Sequence, residues 1–244
     1  EEIKKIKDYK YKNKDTGLVV LWIKLKRAGY TRSITSLYRV MQRLGIYNKA
    51  PSKKKEYEPK PYQQMTHPGE RVQIDVKYVP LKCLTKEIKE RDGRYYQYTA
   101  IDEYTRQRVL WASKEHSTYA STEFLKVVQK KLKYKIECVQ TDNGFEFTNR
   151  LNSHETNKKT MFEEALKEAG IEHKLIKPKT PRHNGKVERS HRKDQERFYY
   201  NKVFCSFEDF KNRLKYWEKE YNNFPMKPLK WLSPNEKYKE YVNS

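Results

Sequence analysis

One segment constrains this chain more than any other: Arg71-Val72-Gln73-Ile74-Asp75-Val76-Lys77-Tyr78-Val79-Pro80 alternates strictly between apolar and polar residues. A period of two places Val72, Ile74, Val76 and Tyr78 on one face of a strand and Gln73, Asp75 and Lys77 on the other. Aspartate is disfavoured inside a strand, so Asp75 needs a reason to stand there that backbone propensity does not supply. Two more strand-like stretches, residues 95–101 and 108–112, follow across the turn Asp102-Glu103-Tyr104-Thr105, and the three read as an antiparallel meander.

Beyond the meander the pattern changes to alternating helices and strands. Ser117 can cap a helix with Ala120, Phe124, Val127, Val128 and Leu132 on its inner face, and residues 136–140 form a short strand. Asp142 thus falls at a strand end, in the abrupt turn Thr141-Asp142-Asn143-Gly144. Residues 150–160 are polar without an apolar period and read as a surface insertion. A helix with Phe162, Ala165, Leu166 and Ala169, ended by Gly170, leads to a strand over residues 171–176. After the loop 177–185 comes a long polar helix, residues 186–200, carrying Glu188, and then a helix over 207–221 with Phe210, Leu214 and Trp217 on one side. This order predicts an α/β core of the ribonuclease H type, a mixed five-stranded sheet flanked by helices.

A small all-α module precedes it. Leu18, Leu21, Trp22 and Leu25 repeat at helical spacing, Ala28-Gly29-Tyr30 breaks the run, and Ile34, Leu37, Tyr38, Met41 and Leu44 make a second stripe. Two short amphipathic helices about a glycine turn suggest a helix-turn-helix over residues 1–47, with Arg32, Arg39 and Arg43 on or beside the second helix facing DNA. A plain helical hairpin with a solvated basic face is the competing reading. Residues 48–64, rich in Lys, Pro and Tyr, form an extended basic linker whose Lys53, Lys54 and Lys55 could track a phosphate backbone or simply be solvated. The catalytic core is then expected over 65–222 and a short tail with three prolines over 223–244.

Charge limits the partners. The 244 residues hold 54 Lys plus Arg against 32 Asp plus Glu, a formal net charge of +22, and such self-repulsion is tolerated chiefly by chains that meet a polyanion. A membrane surface is disfavoured, because no run approaches the roughly 18 apolar residues of a spanning helix. Cys83, Cys138 and Cys205 stand far apart, which argues against a disulfide framework or a zinc knuckle and for a reducing, intracellular, cytoplasmic setting. The start Glu1-Glu2-Ile3-Lys4-Lys5 carries no signal-peptide pattern, and the absent initiator Met suggests a fragment or processed chain.

Three carboxylates stand out by position: Asp75 inside a strand, Asp142 at a strand end, and Glu188 early in a helix. If the two strands are neighbours, both aspartates leave the same end of the sheet, and the helix can deliver Glu188 to that point. Acids so close raise one another's pKa unless cations neutralise them. Hard divalent ions suit oxygen ligands, and Mg2+ is expected because it keeps waters and accepts phosphate oxygens. Two such ions about 3.5 to 4 Å apart serve in-line displacement at phosphorus, with water giving cleavage and a DNA 3'-hydroxyl giving joining. Around Glu188 the helix carries Lys186, Arg189, Lys193 and Arg197 as a cationic stripe, with Arg192 and Gln195 further along Glu188's own face. The preceding loop, Lys177-Pro178-Lys179-Thr180-Pro181-Arg182-His183-Asn184-Gly185, adds Lys177, Lys179, Arg182 and Asn184 as DNA contacts, and His183 and His191 are further candidates. Asp102, Glu146, Glu163, Glu164 and Asp194 are read as structural or solvated acids rather than metal ligands.

The stretches Gln73-Ile74-Asp75-Val76-Lys77-Tyr78, Gln140-Thr141-Asp142-Asn143-Gly144-Phe145-Glu146-Phe147 and Pro181-Arg182-His183-Asn184-Gly185-Lys186-Val187-Glu188-Arg189 resemble, in order, the three signature blocks of insertion-sequence DDE transposases with a retroviral-integrase-like core. The leading helix pair and Ser233-Pro234-Asn235-Glu236 also look like that family, so the resemblance covers nearly the whole chain. It implies a ribonuclease H-type fold, Asp75, Asp142 and Glu188 as catalytic metal ligands, two Mg2+ ions with Mn2+ as a substitute, and action as a dimer or tetramer on double-stranded DNA at element ends and target. The chain departs from the pattern in two ways. Its 45 residues between Asp142 and Glu188 exceed the usual spacing, with the polar stretch 150–160 accounting for the excess, and Val72 stands where many members carry Trp. The expected activity is 3'-end cleavage and strand transfer in DNA transposition. The alternatives are a metal-dependent nuclease or a catalytically silent helix-turn-helix regulator.

Overall fold

The structure, a computed structural model, describes residues 1–13, 16–47, 64–151, 158–176 and 184–244. The chain divides into two compact units, Glu1–Gln63 with Pro225–Leu232, and Gln64–Phe224 with Ser233–Ser244. The expected linker, apart from Gln64, and most of the expected insertion lie outside the described residues.

In the first unit three helices, α1 (Glu2–Lys12), α2 (Leu18–Arg27) and α3 (Ile34–Arg43), close around Ile6, Leu21, Leu25, Tyr30, Leu37 and Met41. The turn between α2 and α3 passes through Gly29 at φ +87°, where a side chain would be strained. Ser33 caps α3 by accepting from the Ser36 N–H, and the Trp22 indole Nε1 donates to the Arg32 carbonyl at 2.9 Å, which fixes the angle of the turn. The sequence pattern does not reveal α1, because its apolar residues are sparse among lysines.

The second unit is built on five strands, β1 (Val72–Tyr78), β2 (Tyr96–Asp102), β3 (Arg108–Ser113), β4 (Cys138–Thr141) and β5 (Glu172–Leu175), in the order β3-β2-β1-β4-β5. β1 is central, antiparallel to β2 and parallel to β4, so the sheet is mixed, as expected of a ribonuclease H-type core. Gly69, just before β1, is obligatory: a Cβ there would stand 1.9 Å from the Lys135 carbonyl oxygen.

The alternation in β1 sorts the two faces of the sheet. Val72 and Ile74 are buried with Tyr98, Ala100 and Val109 against α5 (Thr118–Lys131) and α6 (Met161–Glu168), through Phe124, Val128, Phe162 and Leu166. Gln73, Asp75 and Lys77 point the other way, where α7 (Gly185–Arg197) crosses β1 and β2. Beside it α8 (Phe207–Asn222) packs on β3. The connection from β1 to β2 holds a short helix, α4 (Lys86–Arg91), too brief to show a period in sequence. Residues read as a tail form α9 (Pro234–Val242), started by a capping box between Ser233 and Glu236 with Pro234 in the first turn. Tyr238 and Tyr241 then pack on Tyr134 and Tyr104.

One buried ion pair ties the α7 and α8 layer to the sheet. Arg108 of β3 and Asp194 of α7 are both fully buried, bonded through both guanidinium NH groups, one at 2.8 Å. The Gln97 amide and the Trp217 indole each donate to Asp194 at 2.7 Å, which satisfies its remaining lone pairs. Burial alone disfavours both charges, and the partners outweigh it: the Arg108 pKa is held up and the Asp194 pKa down.

Candidate active site

The two aspartates are placed by the central parallel pair. Gln73 and Gln140 are register partners on β1 and β4, and Asp75 and Asp142 each follow two residues later, so both acids leave the same end of the sheet. Asp75 is half-buried. Its Oδ1 accepts from the Val76 N–H at 2.9 Å, and its Oδ2 lies 3.3 Å from His191 Nδ1. His191, on α7, touches the Thr99 hydroxyl with its other nitrogen at 3.1 Å, so the ring bridges β2 and Asp75. Asp142 accepts from the Gly144 N–H at 3.0 Å, a bond within its own turn.

Glu188 is the fourth residue of α7 and is exposed. Its carboxyl is raised above its ordinary value, first by partial burial and then by the charge of Asp75, with His191 opposing. Asp142 is raised by burial, further by Asp75 and Glu146, with the Gly144 N–H and His116 opposing. Asp75 is therefore within electrostatic reach of both other acids. Among the described residues no three His, Cys, Asp or Glu side chains are gathered closely enough to hold a metal ion as they stand. Asp75 is turned toward His191 and Asp142 toward its own loop. The donor set nevertheless suits a hard divalent ion, because all three groups are oxygen ligands and Asp142 and Glu188 are each destabilised as anions by the charge of Asp75.

One residue absent from the sequence reading, His116 in the loop from β3 to α5, pairs at 2.8 Å with Glu146, an acid expected from the sequence to be structural or solvated. Its imidazole is raised chiefly by that bond, and the charges of Asp142 and Asp75 add to it. Tyr96 stacks on the ring, and the Tyr78 hydroxyl stands 3.4 Å from its Nδ1. Gly144 is what lets Glu146 fold back here, since a Cβ would lie 2.4 Å from the Glu146 carboxylate.

The structure divides the expected DNA contacts. Arg189 and Arg192 are exposed beside Glu188, Arg192 paired with Glu196 at 2.8 Å, and Gln195 is half-exposed further along. Lys186 instead turns inward and donates to Glu103 at 2.6 Å, and Asn184 is buried, accepting from Gln140 at 3.2 Å. Both leave the surface stripe because the first turn of α7 lies against the sheet. Lys193 lies over the rings of Tyr221 and Phe224, and Arg197 over Phe224. Burial pulls the Lys186 and Lys193 ammonium groups down to about 8. His191 is held by Asp75 and Thr99. In the first unit Arg32, Arg39 and Arg43 are exposed, Arg32 paired with Glu2. Lys53, Lys54, Lys55, Lys177, Lys179, Arg182 and His183 lie outside the described residues.

The remaining acids have structural partners. Asp102 accepts from the Gly69 and Thr105 N–H groups, Glu163 closes a capping box with Thr160, and Asp194 pairs with Arg108. No helix among the described residues is long and apolar enough to cross a membrane.

Comparison with known proteins adds a family. Two models, each described as an integrase core domain, match residues 65–181 and 169–234, together well over half of the chain. The ORF3 protein of Spiroplasma virus SpV1-C74, whose name proposes it as an integrase, is 31% identical over 150 residues, 59% of this chain and 40% of the relative. The retrovirus-related Pol polyprotein from transposon TNT 1-94 of Nicotiana tabacum is 32% identical over 114 residues, 45% of this chain and 8% of the relative. The match thus spans well under two thirds of either relative. Among solved structures, the catalytic core domain of BIV integrase aligns with 72% of this chain and 97% of its own length at 18% identity, with a TM-score of 0.49.

Proposed function

The chain belongs to the integrase core domain family, and on that premise we propose that it is a DDE-type DNA transposase or integrase, performing metal-dependent 3'-end cleavage and strand transfer. The observation that carries the reading is that Asp75 on β1 and Asp142, just past the end of the parallel neighbour β4, leave the same end of the sheet, with Glu188 within the field of Asp75. Two acids disfavoured as anions by burial and then by the charge of a third at a sheet end have little structural use, and the set suits two Mg2+ ions held between them, with Mn2+ as a substitute. Ions bound there would activate the attacking hydroxyl and stabilise the departing oxygen.

The chain's own groups do the positioning. His191 steadies Asp75, and the Gly144 N–H steadies Asp142. Arg189 and Arg192, exposed beside Glu188, would hold the phosphates of the reacting strand. Because no side-chain nucleophile is needed, water as attacking group gives hydrolysis and a DNA 3'-end gives joining. In the first unit, α2, the Gly29 turn and α3 would serve as a helix-turn-helix, with Arg39 and Arg43, exposed on α3, meeting double-stranded DNA. Activity as a dimer or tetramer belongs to the same proposal, as do residues 1–47 as the DNA-reading module, 48–64 as linker and 65–222 as catalytic core.

The test is a strand-transfer assay with a labelled duplex carrying an element end and Mg2+, comparing the wild type with Glu188→Gln. Joining by the wild type and a loss of at least about a hundredfold in the variant are expected, in line with removal of a charge-stabilising group. A variant that joins DNA at the wild-type rate would sink the triad, and a wild type that cuts but never joins would make the protein a nuclease.

A further inference from the structure

Glu188 stands on a helix, Asp75 on β1 and Asp142 just past the end of β4, and nothing in the chain's connectivity forces the helix to sit at one height above the sheet. The contacts beneath α7 do. The Gln73 side-chain oxygen accepts from two backbone N–H groups of its first turn, Lys186 at 3.2 Å and Val187 at 3.0 Å. These are among the donors that an α-helix leaves without an internal partner. The Gln73 amide nitrogen meanwhile donates to Glu103 at 2.8 Å, and Glu103 receives Arg71 and the Lys186 ammonium on the same carboxylate. On the neighbouring strand the Gln140 amide donates to Asn184, the residue that precedes the helix. Gln73, Gln140, Asn184 and Glu103 are all buried, with 1%, 4%, 3% and 3% of their surface exposed, so these bonds are shielded from water.

The two glutamines are register partners, and each stands two residues before an aspartate of the triad. We infer that Gln73 and Gln140 form a paired clamp that fixes the start of α7 to both aspartate strands, so that Glu188 is delivered to Asp75 and Asp142 at a set height and angle. Neither amide touches the reacting atoms, and both are positioning residues acting through Glu188. Gln73 engages two helix donors and the Glu103 cluster with one side chain, and Gln140 adds its bond to Asn184 from the neighbouring strand.

The inference rests on the proposed metal-holding role of the triad, and it is tested by a readout that needs no turnover. The full chain is titrated with Mg2+ alone while its thermal unfolding is followed, and the half-saturating Mg2+ concentration is taken from the rise in Tm. Gln73→Met keeps the side-chain volume and removes both the acceptor and the donor. It is expected to raise the half-saturating concentration by at least about tenfold, the range seen when partners behind metal ligands are lost. Gln140→Met, which leaves the Gln73 and Glu103 bonds in place, is a second and independent variant and is expected to shift it in the same direction. In a Glu188→Gln background, Gln73→Met should produce no further shift, because the residue through which it acts is already neutral. A merely structural glutamine would lower the metal-free Tm in both backgrounds and leave the Mg2+ response as it was. Wild type responding to Mg2+ with both glutamine variants responding equally overturns the clamp alone. A wild-type chain that ignores Mg2+ overturns the metal-holding triad and the clamp with it.

Discussion

At the scale of single residues the site is defined by acids that burial, and then the charge of Asp75, disfavour as anions. Asp142 and Glu188 both have raised carboxyl pKa values, so the folded chain binds their protons more tightly than the unfolded one does. Their contribution to stability is fully present below the ordinary carboxylate values and is lost as pH rises through the raised ones. At neutral pH in the absence of a divalent ion they are a net cost. Asp142→Asn keeps the oxygen that accepts from Gly144 and removes the charge, so its metal-free Tm at pH 7 is expected to exceed the wild type's by about 2–4 °C, the shift roughly 1 kcal/mol makes in a domain of this size. The same variant should lose the stabilisation that Mg2+ gives the wild type. Differential scanning calorimetry at pH 7 with and without Mg2+ reads both, and a metal-free Tm below wild type would show that a charge disfavoured by burial and repulsion is not what Asp142 contributes. The two aspartates are legible in sequence because one interrupts an alternating strand and the other ends one. The partners are less so: Glu146 with His116, or His191 with Asp75, are pairings across the fold, and a one-dimensional pattern holds no trace of which side chains meet. One signal was available, the tripeptides Gln73-Ile74-Asp75 and Gln140-Thr141-Asp142, in which the same amide precedes the same acid on both strands.

At the scale of elements, α7 is held by opposite means at its two ends. Its first turn is fixed by the glutamines and Glu103, and its last by the Arg108–Asp194 pair with Gln97 and Trp217. Asp194→Asn would leave the Arg108 guanidinium buried without a countercharge, which costs about 3–5 kcal/mol. Urea denaturation should register that loss as a lower midpoint with an unchanged slope, and a midpoint within error of wild type would mean that water reaches Arg108. Asp194 also marks a limit of helical-wheel reasoning. Periodicity correctly sets it away from Glu188 but does not reveal that the opposite face is buried, since a helix with so many lysines and arginines reads as solvated all round. The five strands are readable from alternation and from turn residues. The helices α1, α4 and α9 are not, for separate reasons: lysines dilute the stripe of α1, six residues are too few for a period in α4, and the prolines before α9 read as breakers although Pro234 begins the helix.

At the scale of the whole molecule the +22 net charge is the dominant quantity, and it belongs to binding rather than to fold. If the basic groups neutralise DNA phosphates, log affinity falls linearly with log salt, at about 0.9 per phosphate contact. Arg189→Ala removes one exposed cation beside Glu188, so it should weaken binding to all duplexes alike and reduce that slope by about 1. Fluorescence anisotropy across a salt series measures it, and an unchanged slope would place Arg189 off the DNA path. Lys186→Ala makes the contrasting case, because its ammonium is already committed to Glu103.

The pairing of Gln73 with Gln140 has a consequence for how the protein assembles. In a strand every second residue shares a face, so the residues that clamp α7 and the acids that need Glu188 travel together along β1 and β4. A slip of one residue in either strand turns the amide and the acid to the opposite side of the sheet at once. A misregistered chain would therefore lose the anchor of α7 together with the acid beside it, and could not dock the helix over a half-built set of ligands. Under the proposed DNA breaking and joining, such a misregistered chain would be inert, because the amide and the acid are lost in the same step.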